Sequence, residues 1–156
     1  MSGLIELVFE GLSADDACKI LYKIIEPKNV LEVTSTEWGV LEYCQLPKIL
    51  VNSLENRSAP ASIFVKAESA SVGEVCLSKP LLRLLSFEGL CDFAIIFEAS
   101  DIFGTSRDEA AMKLSEGARL LVADVTLHDY YCGIEPATDE ETRFFSSKDF
   151  GPLHKF

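Results

Sequence analysis

Three sets of side chains in this 156-residue chain carry the means for chemistry. The first is a row of acids, Glu6, Glu10, Glu32, Glu98 and Asp124, set in runs that read as β-strands. Alternation sends such positions to one face of a sheet, where they can bind and steer a cationic partner. Taken in pairs, the same carboxylates could serve as general acid and base or hold a divalent cation. No D-x-D spacing, histidine partner or glycine-rich loop supports that version. The expectation is therefore a partner-binding surface, and the plain alternative is a solvated sheet face. The second set is His128, Asp129 and Cys132, in which an aspartate-oriented imidazole would activate Cys132 or Cys91. Spacing alone does not make a Cys–His pair, so a strand-end histidine beside a buried cysteine is the simpler reading. The third set is the cysteines at 18, 44, 76, 91 and 132. They form no C-x-x-C pair and are odd in number, which argues for reduced structural thiols over a zinc ribbon or a disulfide framework.

Composition narrows the classes. Apolar residues make up 48% and charged residues 25%, an ordinary globular balance in a length that suits one domain, 1–156. Such a chain buries about 70% of its unfolded surface without staples or metals. The opening MSGLIELVFEG lacks a basic leader, and no apolar run reaches the roughly 18 residues of a membrane span, so a cytoplasmic protein is expected. Net charge is −11, and residues 88–141 concentrate it with thirteen acids against three bases. That surface repels phosphate backbones and argues against direct nucleic-acid binding. The P-loop, dinucleotide, H-E-x-x-H, G-x-S-x-G and EF-hand patterns are all missing, so no catalytic residue, metal or cofactor is assigned.

The elements that must position these residues follow from periodicity and punctuation. Leu4–Glu10 alternates as a half-buried strand with Ile5, Leu7 and Phe9 on its core face. Ser13 caps a helix bearing Asp15 and Asp16 in its first turn, an Asp15–Lys19 pair, and a stop at Pro27. Val30–Ser35 and Trp38–Cys44 read as a hairpin. Leu46–Leu54 reads as a short helix with Pro47 at its start and Ile49, Leu50 and Leu54 inward, and Asn56–Pro60 as a loop. Ser62–Ala67 is a strand, Glu68–Gly73 a turn region, Val75–Leu77 a brief strand, and Pro80–Phe87 a second short helix. The densest apolar letters lie in Cys91–Asp129, read as strand Phe93–Glu98, loop Asp101–Thr105, helix Arg107–Glu116 and strand Arg119–Leu127. There Ser106 and Glu109 spell a capping box, Glu109 and Lys113 an i,i+4 pair, and Gly117 a left-handed stop. Thr138 is placed to cap a short helix through Phe145. Residues 129–156, rich in phenylalanine, are expected to pack on the body or to serve as a partner-binding arm.

The fold expected is α+β: one mainly antiparallel twisted sheet with helices on one face. Strand–cap–helix grammar repeats at Leu4–Ser35 and Cys91–Asp129, which points to ferredoxin-like β–α–β units near both ends. The leading functional expectation is a non-catalytic acidic protein that neutralises a basic protein partner. Bacterial immunity proteins that block a cationic toxin, for example a nuclease, have this profile of shortness, acidity and missing catalytic motifs. The alternatives are a small-molecule or enzymatic site near His128–Cys132 and a structural subunit of a larger assembly.

Overall fold

The computed structural model describes residues 3–55 and 61–156. The loop expected at residues 56–60 and the inward side chain of Leu54 lie outside the described residues. Strand β1 (Ile5–Leu12) leads through helix α1 (Ala14–Ile24) to the hairpin β2 (Val30–Ser35) and β3 (Gly39–Leu41). Helix α2 (Leu46–Glu55) follows, then strands β4 (Ala61–Ala67), β5 (Ser69–Val72), β6 (Val75–Ser78), β7 (Leu81–Phe87), β8 (Leu90–Phe97) and β9 (Ile102–Phe103). Helix α3 (Arg107–Leu121) then leads to β10 (Asp129–Ile134) and β11 (Arg143–Ser146). Eight strands form one sheet in the order β11-β10-β1-β8-β7-β4-β2-β3, and β5-β6-β9 form a small second sheet. Every strand pairing in both is antiparallel.

The period-2 pattern accounts for the core. Ile5, Leu7, Phe9, Ile63, Val65, Leu82, Leu84, Phe93, Ile95 and Phe97 point to one side of the large sheet, into a single cluster. Into the same cluster α1 sends Ala17, Ile20, Leu21 and Ile24, α2 sends Leu46 and Leu50, and α3 sends Leu114, Ala118 and Leu121. All three helices therefore cover one face, as expected. Each of the fully buried large side chains contributes about 1.5–3 kcal/mol through its removal from water. Ser13 caps α1 by accepting from Asp16 N at 3.1 Å, while Lys19 pairs with Asp16 rather than Asp15.

Several expectations are corrected. Pro80–Phe87 is strand β7, not a helix: its leucines alternate, Leu82 and Leu84 inward, Leu81 and Leu85 outward, and tertiary pairing with β4 and β8 overrides leucine's helix preference. Arg119–Leu127 is not a strand, because α3 runs on to Leu121 and the next strand starts at Asp129. Gly117 does not stop that helix. It lies inside α3, where an added Cβ would stand 2.7 Å from the Val72 carbonyl oxygen, so the small residue permits helix and β5–β6 turn to touch. Ser106 Oγ donates to the Glu109 carboxylate at 3.2 Å and leaves the backbone uncapped, so neither bond of the box is formed. Ser69–Val72, within the expected turn region, is a strand, and the expected helix through Phe145 is a 3-10 turn (Glu140–Thr142) followed by β11.

Chain topology refines the β–α–β expectation. β8, α3 and β10 make a split unit with β1 inserted between its strands. β1, α1 and β2 do not mirror it, since β8, β7 and β4 separate the two strands. The aromatic C-terminal stretch belongs to the body. β10 and β11 extend the sheet, Phe150 bridges to Phe145 along the outer edge, and the Phe156 ring packs edge-on against Phe97 and Phe144.

Candidate partner-binding face

Strand pairing lets the helix-free face be laid out row by row. Val40, Thr34, Phe64, Arg83, Ala94, Val8, Tyr131 and Ser146 are consecutive partners across all eight strands. The row on one side runs Glu32, Lys66, Leu81, Ile96, Glu6 and Gly133. The row on the other side contains Ser62, Leu85 and Asp92, then the bulged strand β1 at Glu10, then Asp129.

The half of this face on β10, β1 and β8 is roofed by the chain itself. Residues 135–142, which include a cis Glu135–Pro136 bond, fold back so that Ala137 is buried with Val8, Ala94, Ile96 and Tyr131. Glu6 holds that roof down. Its carboxylate, nearly out of solvent, accepts from Ala137 N at 2.7 Å and faces the Arg83 guanidinium at 3.5 Å. Arg143 completes the clamp, donating from Nε to the Ala137 carbonyl at 2.9 Å while its guanidinium stacks 4.2 Å above the Tyr131 ring. Burial, with Glu10 nearby, pushes the Tyr131 hydroxyl up to about 12. The roof presents Glu135, Asp139, Glu140 and Glu141 to solvent.

At the opposite end of the strands the β-bulge between Phe9 and Leu12 brings three acids together. Gly11, at φ +73°, turns its N–H toward Asp92 Oδ1 at 2.9 Å, a conformation glycine adopts without strain. Glu10 then stands with Asp92 and Asp129, and partial burial together with those two carboxylates raises its pKa above the usual glutamate value. Among the described residues no group of three His, Cys, Asp or Glu is arranged to hold a metal ion.

The five carboxylates singled out in the sequence thus separate. Glu6, Glu10 and Glu32 share the helix-free face, as alternation demands. Glu6 is spent inside the fold, and exposed Glu32 pairs with Lys66 at 3.7 Å. Glu98 lies just past β8 and lines a cleft of about 620 Å³ that Leu4, Arg107, Phe144, Lys155 and Phe156 also border. Asp124 sits in the turn after α3, paired with Lys23 on α1 at 2.6 Å, and therefore belongs to the helical layer, not to a strand beside Glu98. The thiol arrangement does not assemble. Cys132 points into the core opposite Leu7, whereas His128 lies exposed beyond the strand's start and packs over Gly11. Four residues of strand hold them roughly 13 Å apart along the chain. Burial also pushes the thiols of Cys91 and Cys132 well above the ordinary range, which withholds the thiolate.

Asp92, Arg83 and the acids of the 135–142 roof were not among the expected site residues, and Asp129 was expected only as the partner of His128. Asp92 continues the alternation of β8 and was legible had the strand been started one residue earlier. Arg83 was hidden by the helical reading of its segment. The roof acids were visible only as a charge run, since their place over the sheet depends on the buried Glu6 carboxylate.

The large sheet is thus closed by helices on one side and carries an acidic, helix-free face on the other. Residues 3–150 match the model of the PABL017 Cdi1I immunity protein family, and the chain belongs to that family. Among solved structures it is similar, with a TM-score of 0.73 and 25% identity over 98% of this chain and 99% of the other, to a chain from one crystal structure. That structure is of the toxic C-terminal tip of CdiA from Pseudomonas aeruginosa in complex with immune protein. No curated protein matches.

Proposed function

We propose that this chain neutralises the toxic C-terminal tip of a CdiA-type protein by binding and occluding it, inside the cytoplasm of the cell that makes it. The observation that carries this reading is the family match over residues 3–150, joined by the likeness over nearly the whole chain to a structure solved with such a toxin tip. The charge of −11 adds the chemistry of the partner, a toxin domain with a basic surface. Of the acids first singled out, Glu10 and Glu98 remain as contributors to steering, Glu32 is held by Lys66, and Glu6 and Asp124 act within the fold.

The test uses the purified chain and the toxic C-terminal tip of a CdiA-type protein from the same organism. Stopped-flow mixing is expected to give an association rate that falls by about tenfold or more between low and physiological salt. Addition of one equivalent is expected to abolish the toxin's activity. Failure to form a complex, or a complex that leaves the toxin active, refutes the reading.

A further inference from the structure

Acids on the helical layer are, Asp15 on α1 excepted, neutralised where they stand. Asp16 pairs with Lys19, Asp124 with Lys23, Glu109 with Lys113, Glu116 with Arg119, and Asp108 with Lys155. The helix-free face is different. Glu10, Asp92 and Asp129 at one end of the strands have no basic side chain within ion-pair distance among the described residues. Neither do Asp139, Glu140 and Glu141 at the other end. The bases on this face are occupied: Lys66 by Glu32, Arg83 by Glu6, and Arg143 by carbonyl oxygens and the Tyr131 ring. Uncompensated negative charge therefore gathers at the two ends of one sheet face.

Beside the roofed half, on β7 and β4, the sheet face lies past the edge of the roof of residues 135–142. Phe64, Leu81 and Leu85 stay half-open on β4 and β7, and Val40 on the edge strand is 77% exposed. An apolar centre framed by charge is the anatomy of a protein interface, in which the centre supplies most of the affinity and the rim sets register and rate.

We propose that this strip, centred on Phe64 and Leu85, is where the toxin docks, and that its occupant is a cationic segment of the toxin. That segment places an apolar side chain on Phe64 and Leu85 while its lysines or arginines reach the acids at the two ends. The inference rests on the neutralisation reading above and adds the location and the chemistry of the contact. The paired charges of the α3 surface explain why that layer, despite exposed Met112 and Leu120, is not the docking side.

Hydroxyl-radical footprinting of the chain, alone and with the same CdiA-type toxin tip, decides the matter. The oxidation rates of Phe64 and Leu85 are expected to fall several-fold in the complex, with Met112 and Leu120 unchanged. Leu85→Lys is expected to weaken the complex by more than about tenfold, as at a hot spot, and Met112→Lys to leave it unaltered, both variants unfolding at the wild-type urea midpoint. A complex that protects Met112 and Leu120 and leaves Phe64 and Leu85 reactive overturns the location while leaving neutralisation intact. Absence of any complex removes both.

Discussion

Replacing Glu6 is the most informative single perturbation, because one buried carboxylate fastens the roof to the sheet. In Glu6→Ala the Ala137 N–H loses its 2.7 Å acceptor in a site from which water is excluded. An unsatisfied buried donor costs about 1–3 kcal/mol. Arg83 also loses its counter-ion, but its side chain is 29% exposed and the contact is long at 3.5 Å, so solvent screening limits that loss to about 1 kcal/mol. The expected destabilisation is about 2–4 kcal/mol, a large share of the roughly 5–15 kcal/mol that holds a domain folded. Glu6→Gln keeps an acceptor oxygen of the same reach and loses only the charge, so it should cost about 1 kcal/mol. Urea unfolding measures both, and amide hydrogen exchange at Ala137 should quicken in the alanine variant alone. Equal costs for the two variants, or an alanine cost under about 0.5 kcal/mol, would show that the carboxylate does not hold the roof.

Three further outcomes are expected. Gly117→Ala should destabilise by about 1–2 kcal/mol in thermal or urea unfolding, although alanine gains about 1 kcal/mol in an ordinary helix, because its methyl meets the Val72 carbonyl at 2.7 Å; stabilisation would contradict that close approach. Glu10 has a raised folded-state pKa, so the folded state holds its proton more tightly than the unfolded chain does. Its ionisation therefore lowers stability as pH rises through that window, and Glu10→Gln should stabilise the protein at neutral pH and lose the advantage in acid below the unfolded value of 4.5, as followed by unfolding midpoints across pH. Iodoacetamide at neutral pH should label exposed Cys44 first and spare Cys18, Cys91 and Cys132, whose burial holds Cys18 at about 11 and the other two still further from reactivity; fast labelling of Cys132 would revive a thiol site.

What could be read from the sequence followed from local periodicity. β1, α1, β2, β4 and the body of β8 were visible because their apolar residues repeat with one period and their ends carry a cap, a glycine or a proline. Sorting Glu6 and Glu10 away from Ile5, Leu7 and Phe9 needed nothing more. Where tertiary contact overrules local preference, the reading failed. Leu81–Phe87 is leucine-rich, and only its place between β4 and β8 makes it a strand. Gly117 looks like a terminator, yet its missing side chain is a packing requirement set by Val72 and Gly73, far away in the chain. The acidic face was legible as a tendency and not as a place. Which acids stay unpaired depends on where Lys19, Lys23, Lys113 and Arg119 fall, and no strand pattern reports that.

The position of β1 has a consequence in time. Strand β1, which precedes every other described strand in the chain, is an interior strand, closed on one side by β8 and on the other by β10, which all the described strands but β11 precede. A ribosome adding about 5–20 residues each second reaches β10 roughly 6 to 25 seconds after β1. Until then β1 has no neighbour on that side, Glu6 has no Ala137 to hold, and the acidic roof does not exist. Protection by this chain therefore arrives as a step and not by degrees. A chain ended before β10 lacks both that edge of the sheet and the roof and is expected to give none, so a cell's defence at any moment is set by the stock of finished molecules it already holds.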